Sequence, residues 1–252
     1  MKRLIILLFV LFYDAVHAQT INIDWLVDNS VYNQSTCEYG GDLIVPTAPI
    51  KYGYTFNGWE SFTPIEYLES TGTQYIDPDI TLNIFLKFEF ESALSSIDKV
   101  QIFGVGGGSM DGASIRANGA GQYFAIYQAY NHYFPCNIPI DTKRHKFILD
   151  IYNFEAYIDD CYLVMPGTYP VNETNKKIYI GAYSQEGRVN LGLGWIGKYY
   201  NVKFYSKNVL VRDFIPVLDG DGVPCMYDKV EGKFYYNQGT GQFIAGPVIG
   251  GN

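Results

Sequence analysis

The chain has 252 residues, with 18 Lys and Arg against 26 Asp and Glu and a formal net charge of -8. That balance excludes a nucleic-acid or anionic-lipid binder, because both need a basic footprint against phosphate. Aromatic residues reach 17%, 23 of them Tyr, which excludes a disordered or low-complexity chain and supplies material for a core.

The N-terminus reads MKRLIILLFVLFYDAVHA. Lys2 and Arg3, the apolar run at 4–13 and Val16-His17-Ala18 predict a signal peptide over residues 1–18, cut between Ala18 and Gln19. The run is shorter than the roughly 20 apolar residues that span a bilayer, and Asp14 ends it. No later segment is long and apolar enough either, so the mature chain is expected to be exported without a membrane span: periplasmic, cell-surface or secreted. Processing removes two basic residues and one acidic residue, leaving it more acidic.

Residues 19–60 predict a small module. TINIDWLV reads as a strand, and Gly40-Gly41, Pro46, Pro49 and Gly53 punctuate the rest of it. SFTP at 61–64 reads as a linker, and residues 65–252 as the main domain. Strand follows strand there. In FLKFEFE, Leu86, Phe88 and Phe90 alternate with Lys87, Glu89 and Glu91, one face apolar and the other charged. HKFILDIY places Phe147, Leu149 and Ile151 inward; KYYNVKFY predicts Tyr200, Val202 and Phe204 inward. QYFAIYQ and KIYIGAY are further strands. Turn pairs separate them: Asn118-Gly119, Asp159-Asp160, Pro166-Gly167, Glu186-Gly187, Asp219-Gly220 and Glu231-Gly232. In MYDKVEGKFYYNQGTGQF, two strands flank Lys229-Val230-Glu231-Gly232, and Gly239-Thr240-Gly241 turns into a closing edge strand, QFIAG. The whole predicts an all-β fold, an antiparallel sandwich or barrel, with room from about residue 65 to 247 for a two-sheet antiparallel jelly-roll sandwich and no strand–helix alternation for a parallel sheet.

Chemistry-bearing motifs fail their own context tests. Glu89 and Glu91 share a strand face, but no aspartate stands between them in the pattern a sandwich glycosidase uses, and they read as a solvated face. Gly192-x-Gly194-x-x-Gly197 opens no helix, GVGGGS at 104–109 lacks the Lys-Ser/Thr of a phosphate loop, and Asp77 and Asp79 read as turn formers. His132 and His145 have no nucleophile beside them in sequence. No catalytic residue is assigned, and no cofactor is expected beyond calcium. For that ion Asp219 and Asp221 of DGDG are the candidate ligands, set against a plain turn. Cys37, Cys136, Cys161 and Cys225 form no C-x-x-C pair. They allow up to two disulfides with three pairings, or buried free thiols, and spacing does not choose. Asn33-Gln34-Ser35 and Asn172-Glu173-Thr174 are formal glycosylation sequons.

Two stretches carry family resemblances. Tyr39-Gly40-Gly41, Pro46-x-x-Pro49 and Gly53-Tyr54-Thr55-Phe56-x-Gly58-Trp59 resemble the Listeria–Bacteroides repeat of the internalin type. That resemblance implies a β-grasp-like unit, an extracellular spacer or interaction module, here in one copy. Trp59 reads as part of its miniature core. The run Ile65-Glu66-Tyr67-Leu68-Glu69-Ser70-Thr71-Gly72-Thr73-Gln74-Tyr75-Ile76-Asp77 is the first of two main-domain signatures. The second joins Leu210-Val211-Arg212-Asp213-Phe214-Ile215-Pro216 to Met226-Tyr227-Asp228 and Gly232-Lys233-Phe234-Tyr235-x-Asn237-x-Gly239-Thr240-Gly241. Together they resemble concanavalin A-like, laminin-G-like sandwich domains of exported bacterial and phage proteins. The resemblance implies a lectin-like, non-enzymatic binding or adhesion protein at a cell surface, with a glycan or surface protein as ligand. The alternatives are a structural or interaction module of an envelope or appendage assembly, and a divergent glycan hydrolase.

Overall fold

The computed structural model describes residues 4–9, 20–28, 30–38, 41–52, 56, 58–106, 112–118, 123–128, 132–164 and 175–249. The expected cut at Ala18–Gln19, Gly53-Tyr54-Thr55 of the repeat signature, Pro166-Gly167 and the sequon at Asn172 lie outside the described residues.

The strands, in chain order, begin with β1 (Leu4–Phe9), β2 (Thr20–Val27), β3 (Ser30–Glu38), β4 (Trp59–Pro64), β5 (Leu68–Ser70), β6 (Ile76–Thr81) and β7 (Leu86–Leu94). Next come β8 (Val100–Gly106), β9 (Ala113–Asn118), β10 (Tyr123–Gln128), β11 (His132–Pro139), β12 (His145–Asp150), β13 (Glu155–Ile158) and β14 (Cys161–Val164). The chain continues through β15 (Lys177–Ile180), β16 (Tyr183–Gln185), β17 (Arg188–Asn190), β18 (Gly197–Ser206) and β19 (Val209–Asp219), and closes with β20 (Pro224–Asp228), β21 (Lys233–Tyr235) and β22 (Ile244–Ala245). No helix occurs among the described residues: the fold is all-β.

A large sheet runs β14-β13-β12-β7-β18-β19-β4-β1-β2-β3, with β5, β20, β21 and β22 attached at its flank. A smaller sheet runs β11-β10-β9-β8-β16-β17, and β15 pairs with β6 alone. The two main sheets face each other across aromatic side chains. Phe103 of β8 stacks on Phe90 of β7 at 4.1 Å, and Phe124 of β10 meets Phe147 of β12 edge-on at 5.2 Å. Phe88, Phe90, Phe103, Phe124, Phe147, Trp195 and Phe204 are fully buried. Each such side chain contributes about 1.5–3 kcal/mol through burial, and a well-placed ring pair adds about 0.5–1.5 kcal/mol. Trp195 is satisfied inside this core: its Nε1–H donates to Ser92 Oγ at 2.9 Å, and Ser92 Oγ–H donates to the Lys198 carbonyl at 2.7 Å.

Alternation on β7 and β12 follows the sequence. Leu86, Phe88, Phe90, Phe147, Leu149 and Ile151 are buried. β18 departs from it. Tyr199 is buried, Tyr200 is not, and the register against β7 shifts between Tyr199 and Asn201. The extra residue of this β-bulge inverts the alternation over one step, so Tyr200 and Asn201 both leave the core.

Residues 61–64 form the second half of β4 and pair with β19, rather than a linker. Phe62 drives this: it is 3% exposed and clusters with Val217, Cys225 and Tyr227. Upstream, Trp25 and Trp59 meet edge-on at 4.8 Å beside Ile21 and Ile23, forming a separate small core. The apolar run 4–9, expected to leave with the signal peptide, is β1 here, antiparallel to β2 and parallel to β4.

The two main-domain signatures clasp each other. The Gln238 and Thr240 N–H groups donate to the carbonyls of Tyr75 (2.8 Å) and Thr73 (2.9 Å). Asn237 Oδ1 accepts from the N–H groups of Tyr75 (3.1 Å) and Gly239 (2.8 Å), and Asn237 Nδ2 donates to the Gly241 carbonyl (2.9 Å). A Cβ at Gly239 would stand 2.0 Å from the Thr73 carbonyl oxygen, so only glycine fits this approach. The Gly-Thr-Gly turn is therefore a structural closure, and β20 and β21 pair as the sequence predicts.

Candidate functional site

The polar side of the large sheet is built in rows by strand register. Lys203 of β18 lies beside Glu89 of β7, then Ile148 of β12, Tyr157 of β13 and Tyr162 of β14. The next row sets Asn201 beside Glu91 and Lys146. Here the bulge on β18 matters: it puts Tyr200 on this face next to Asn201 instead of in the core.

Around Tyr200 the side chains form a connected patch. Tyr67 packs edge-on to Tyr200 at 5.8 Å, and the Arg144 guanidinium lies over the Tyr200 ring, 4.0 Å from its centroid. Lys198 lies over the Tyr67 ring at 4.2 Å. Arg144 also holds Glu91 through two contacts, Nε at 2.8 Å and Nη2 at 2.6 Å, while Asn201 Nδ2 donates to the other Glu91 oxygen at 2.9 Å. The cation–ring contact and the two Arg144 contacts to one Glu91 oxygen fix side chains that would otherwise roam. Burial pushes the Glu91 carboxyl up, but the hydrogen bonds from Asn201 and Arg144 more than offset it and hold the carboxyl below its ordinary value. Glu91 is thus kept ionised. Glu89 is ion-paired with Lys87 at 2.8 Å. The patch can offer flat aromatic surface, fixed positive charge and fixed acceptors side by side.

Other sequence candidates take structural places. Asp219 Oδ1 accepts from the N–H groups of Asp221 (3.0 Å) and Val223 (2.8 Å), and its Oδ2 accepts from the Tyr236 hydroxyl (2.9 Å). Asp221 is exposed, and both calcium candidates lie on this one turn. Among the described residues no group of three or more His, Cys, Asp or Glu is placed to hold a metal ion. His145 is 8% exposed and both ring nitrogens meet carboxylates, Nδ1 to Asp159 at 2.7 Å and Nε2 to Asp141 at 2.8 Å. Neither nitrogen is open to a substrate proton. His132 lies on β11, with its side chain outside the described residues. Asp79 and Asp77 share Lys177 at 3.1 and 2.8 Å. Gly194 and Gly197 pass so close to the backbone of Gly181 and Ala93 that a Cβ would meet carbonyl oxygens at 2.5 and 2.1 Å, which accounts for these two glycines of the motif by packing.

Sequence reasoning does not single out Arg144, Tyr67 or Asn201. Arg144 sits in a turn before β12, where an isolated basic residue carries no periodic signal. Simple alternation places Tyr200 on the wrong face. No family model and no curated protein matches the chain.

Proposed function

We propose that this chain is a non-enzymatic, exported binding or adhesion protein that holds a glycan or another surface ligand on the polar face of its large sheet. The observation that carries the reading is the Tyr67–Tyr200–Arg144–Glu91 patch. A sugar ring offers an apolar C–H face to a tyrosine ring and hydroxyls to fixed guanidinium, carboxylate and amide groups. The acidic net charge of -8 favours neutral over polyanionic glycans. The finer architecture belongs to the same proposal: a concanavalin A-like jelly roll, supported by the facing sheets, preceded by an internalin-type repeat, supported by the separate Trp25–Trp59 core. Against hydrolysis stands the charge state of Glu91. A glycosidase needs one carboxyl protonated as the acid, and the ion-paired, ionised Glu91 does not supply it.

A second reading has its own observation. Leu43, Ile44, Val45, Ile50 and Tyr52 are exposed in the module, Ile50 and Tyr52 completely. Apolar side chains concentrated in ten residues suit docking to a protein partner in an envelope or appendage assembly.

The test is a glycan-binding screen with calcium and with a chelator, on wild type, Tyr200→Ala and Asp219→Asn. Saturable binding that Tyr200→Ala weakens about tenfold or more supports the patch. Binding unchanged by Tyr200→Ala sinks the proposed location. Absence of glycan binding by folded wild type moves the reading to the protein-docking module. Calcium dependence lost in Asp219→Asn would assign that turn a metal.

A further inference from the structure

Cys136 lies on β11 and Cys161 opens β14. β11 is an edge of the small sheet and β14 an edge of the large sheet, and the two strands lie next to one another. Residues of β11 and β14 approach one another within 8 Å at Cα, and a disulfide needs about 4.4–6.8 Å between its own two Cα atoms. Cys136 is 1% exposed inside the main core, and Cys161 is partly buried against that same core. Burial holds the Cys136 thiol above its ordinary range, and the nearby Cys161 and Asp159 add to that. The remaining cysteines sit in different cores. Cys37 packs with Ile21, Ile23 and Trp25, and Cys225 with Phe62 and Val217. All four are free thiols here.

We infer that Cys136 and Cys161 are a disulfide site that locks the two sheets together at this edge, and that Cys37 and Cys225 take no part. β11 and β14 belong to different sheets, so a covalent link between them ties one sheet to the other at this edge. Formation needs a disulfide as oxidant, either a small molecule or a protein. The more accessible Cys161 gives up its proton, and its thiolate attacks one sulfur of that disulfide, displacing a thiolate. Cys136 then loses its proton and attacks the Cys161 sulfur of the mixed disulfide, displacing the second thiolate. Two protons and two electrons leave the protein, and the oxidant becomes two thiols.

The experiment equilibrates the reduced full chain with glutathione disulfide, then denatures, alkylates free thiols, digests without reductant and maps masses. The expected result is one linked peptide joining Cys136 to Cys161, with Cys37 and Cys225 alkylated. In Cys136→Ser a glutathione adduct should accumulate on Cys161; in Cys161→Ser the buried Cys136 should stay reduced while the protein is folded. Four alkylated cysteines in oxidised wild type, or a link involving Cys37 or Cys225, overturns the inference. Wild-type mapping decides the matter even where a serine variant misfolds. The outcome is independent of glycan binding.

Discussion

Substituting Gly239 by alanine tests the clasp between the two ends of the main domain. The added Cβ would lie 2.0 Å from the Thr73 carbonyl oxygen and 3.0 Å from its carbon, both backbone atoms that no side-chain rotation can move. Relief requires the 237–241 turn to withdraw by about 1 Å, which stretches the hydrogen bonds that cross to Thr73 and Tyr75, of 2.8–3.1 Å and including the Thr73 hydroxyl to the Thr240 carbonyl, past the range where they hold. Four such bonds at about 1 kcal/mol each put the cost near 4 kcal/mol. For a domain of this size each kcal/mol moves Tm by about 2–4 °C, so a fall of about 8–16 °C is expected. Gly222 supplies the control: it has φ of +78° with nothing near its Cβ position, so Gly222→Ala should cost only about 1 kcal/mol of backbone strain. Thermal unfolding of both variants, with hydrogen exchange at the Tyr75 amide, reads the difference. A Gly239→Ala protein that melts within about 2 °C of wild type, well short of the expected fall in Tm, would refute the reasoning, because the clasp would then carry no stability.

Phe90→Ala removes a ring stacked on Phe103 and Phe147 at 4.1 and 4.8 Å, and should destabilise by about 3–5 kcal/mol in urea unfolding; a loss under about 1 kcal/mol would contradict its central place. Acid sensitivity arises from Glu91, Asp141 and Glu231, where burial is outweighed by hydrogen bonds and the carboxyls are held low. Their stabilisation is present above the ordinary carboxylate range, about 4, and is lost as pH falls through their lower folded values, so Glu91→Gln should flatten the fall of Tm below pH about 4. Asp228 runs the other way, since burial raises its pKa and its contribution fades as pH rises through the folded value; an identical acid profile for wild type and Glu91→Gln would deny Glu91 its part. Closing the Cys136–Cys161 loop of about 25 residues should stabilise by about 3.5 kcal/mol, and Tm with and without reductant in wild type against Cys161→Ser measures it.

Strands of clean two-residue period are legible in the sequence. On β7 Leu86, Phe88 and Phe90 are buried and Lys87, Glu89 and Glu91 alternate with them on the other face, as their positions assign. The 61–64 segment is not, because Ser, Thr and Pro carry turn composition, while the deciding fact is a pocket for Phe62 supplied by Val217, Cys225 and Tyr227, more than 150 residues later in the chain. Distance along the chain also hides the cysteine pair: β11 and β14 belong to different sheets, and only the folding of one sheet over the other brings their edges together. Within the candidate patch, Glu89 and Glu91 read as a solvated face, and they do face outward. Arg144 and Lys87, which cover and pair them, come from a turn and from the same strand, beyond what alternation reports.

The bulge on β18 joins the misread position to the proposed function. Tyr-Tyr-Asn at 199–201 offers two residues equally able to fill the core, so the sequence is nearly indifferent to which tyrosine turns inward. The fold decides by setting Tyr199 opposite Ser92 and Asn201 opposite Glu91, leaving Tyr200 without a partner on β7. A regular strand would bury one of the two and point the other outward alone. The bulge instead sends two successive side chains to the same face, Asn201 to Glu91 and Tyr200 under Arg144, and so assembles ring, cation and acceptor within one strand spacing. Ladder regularity is given up at one point in the middle of a sheet, where it costs pairing, and what it yields is the patch. The proposed function rests on this departure from strand regularity.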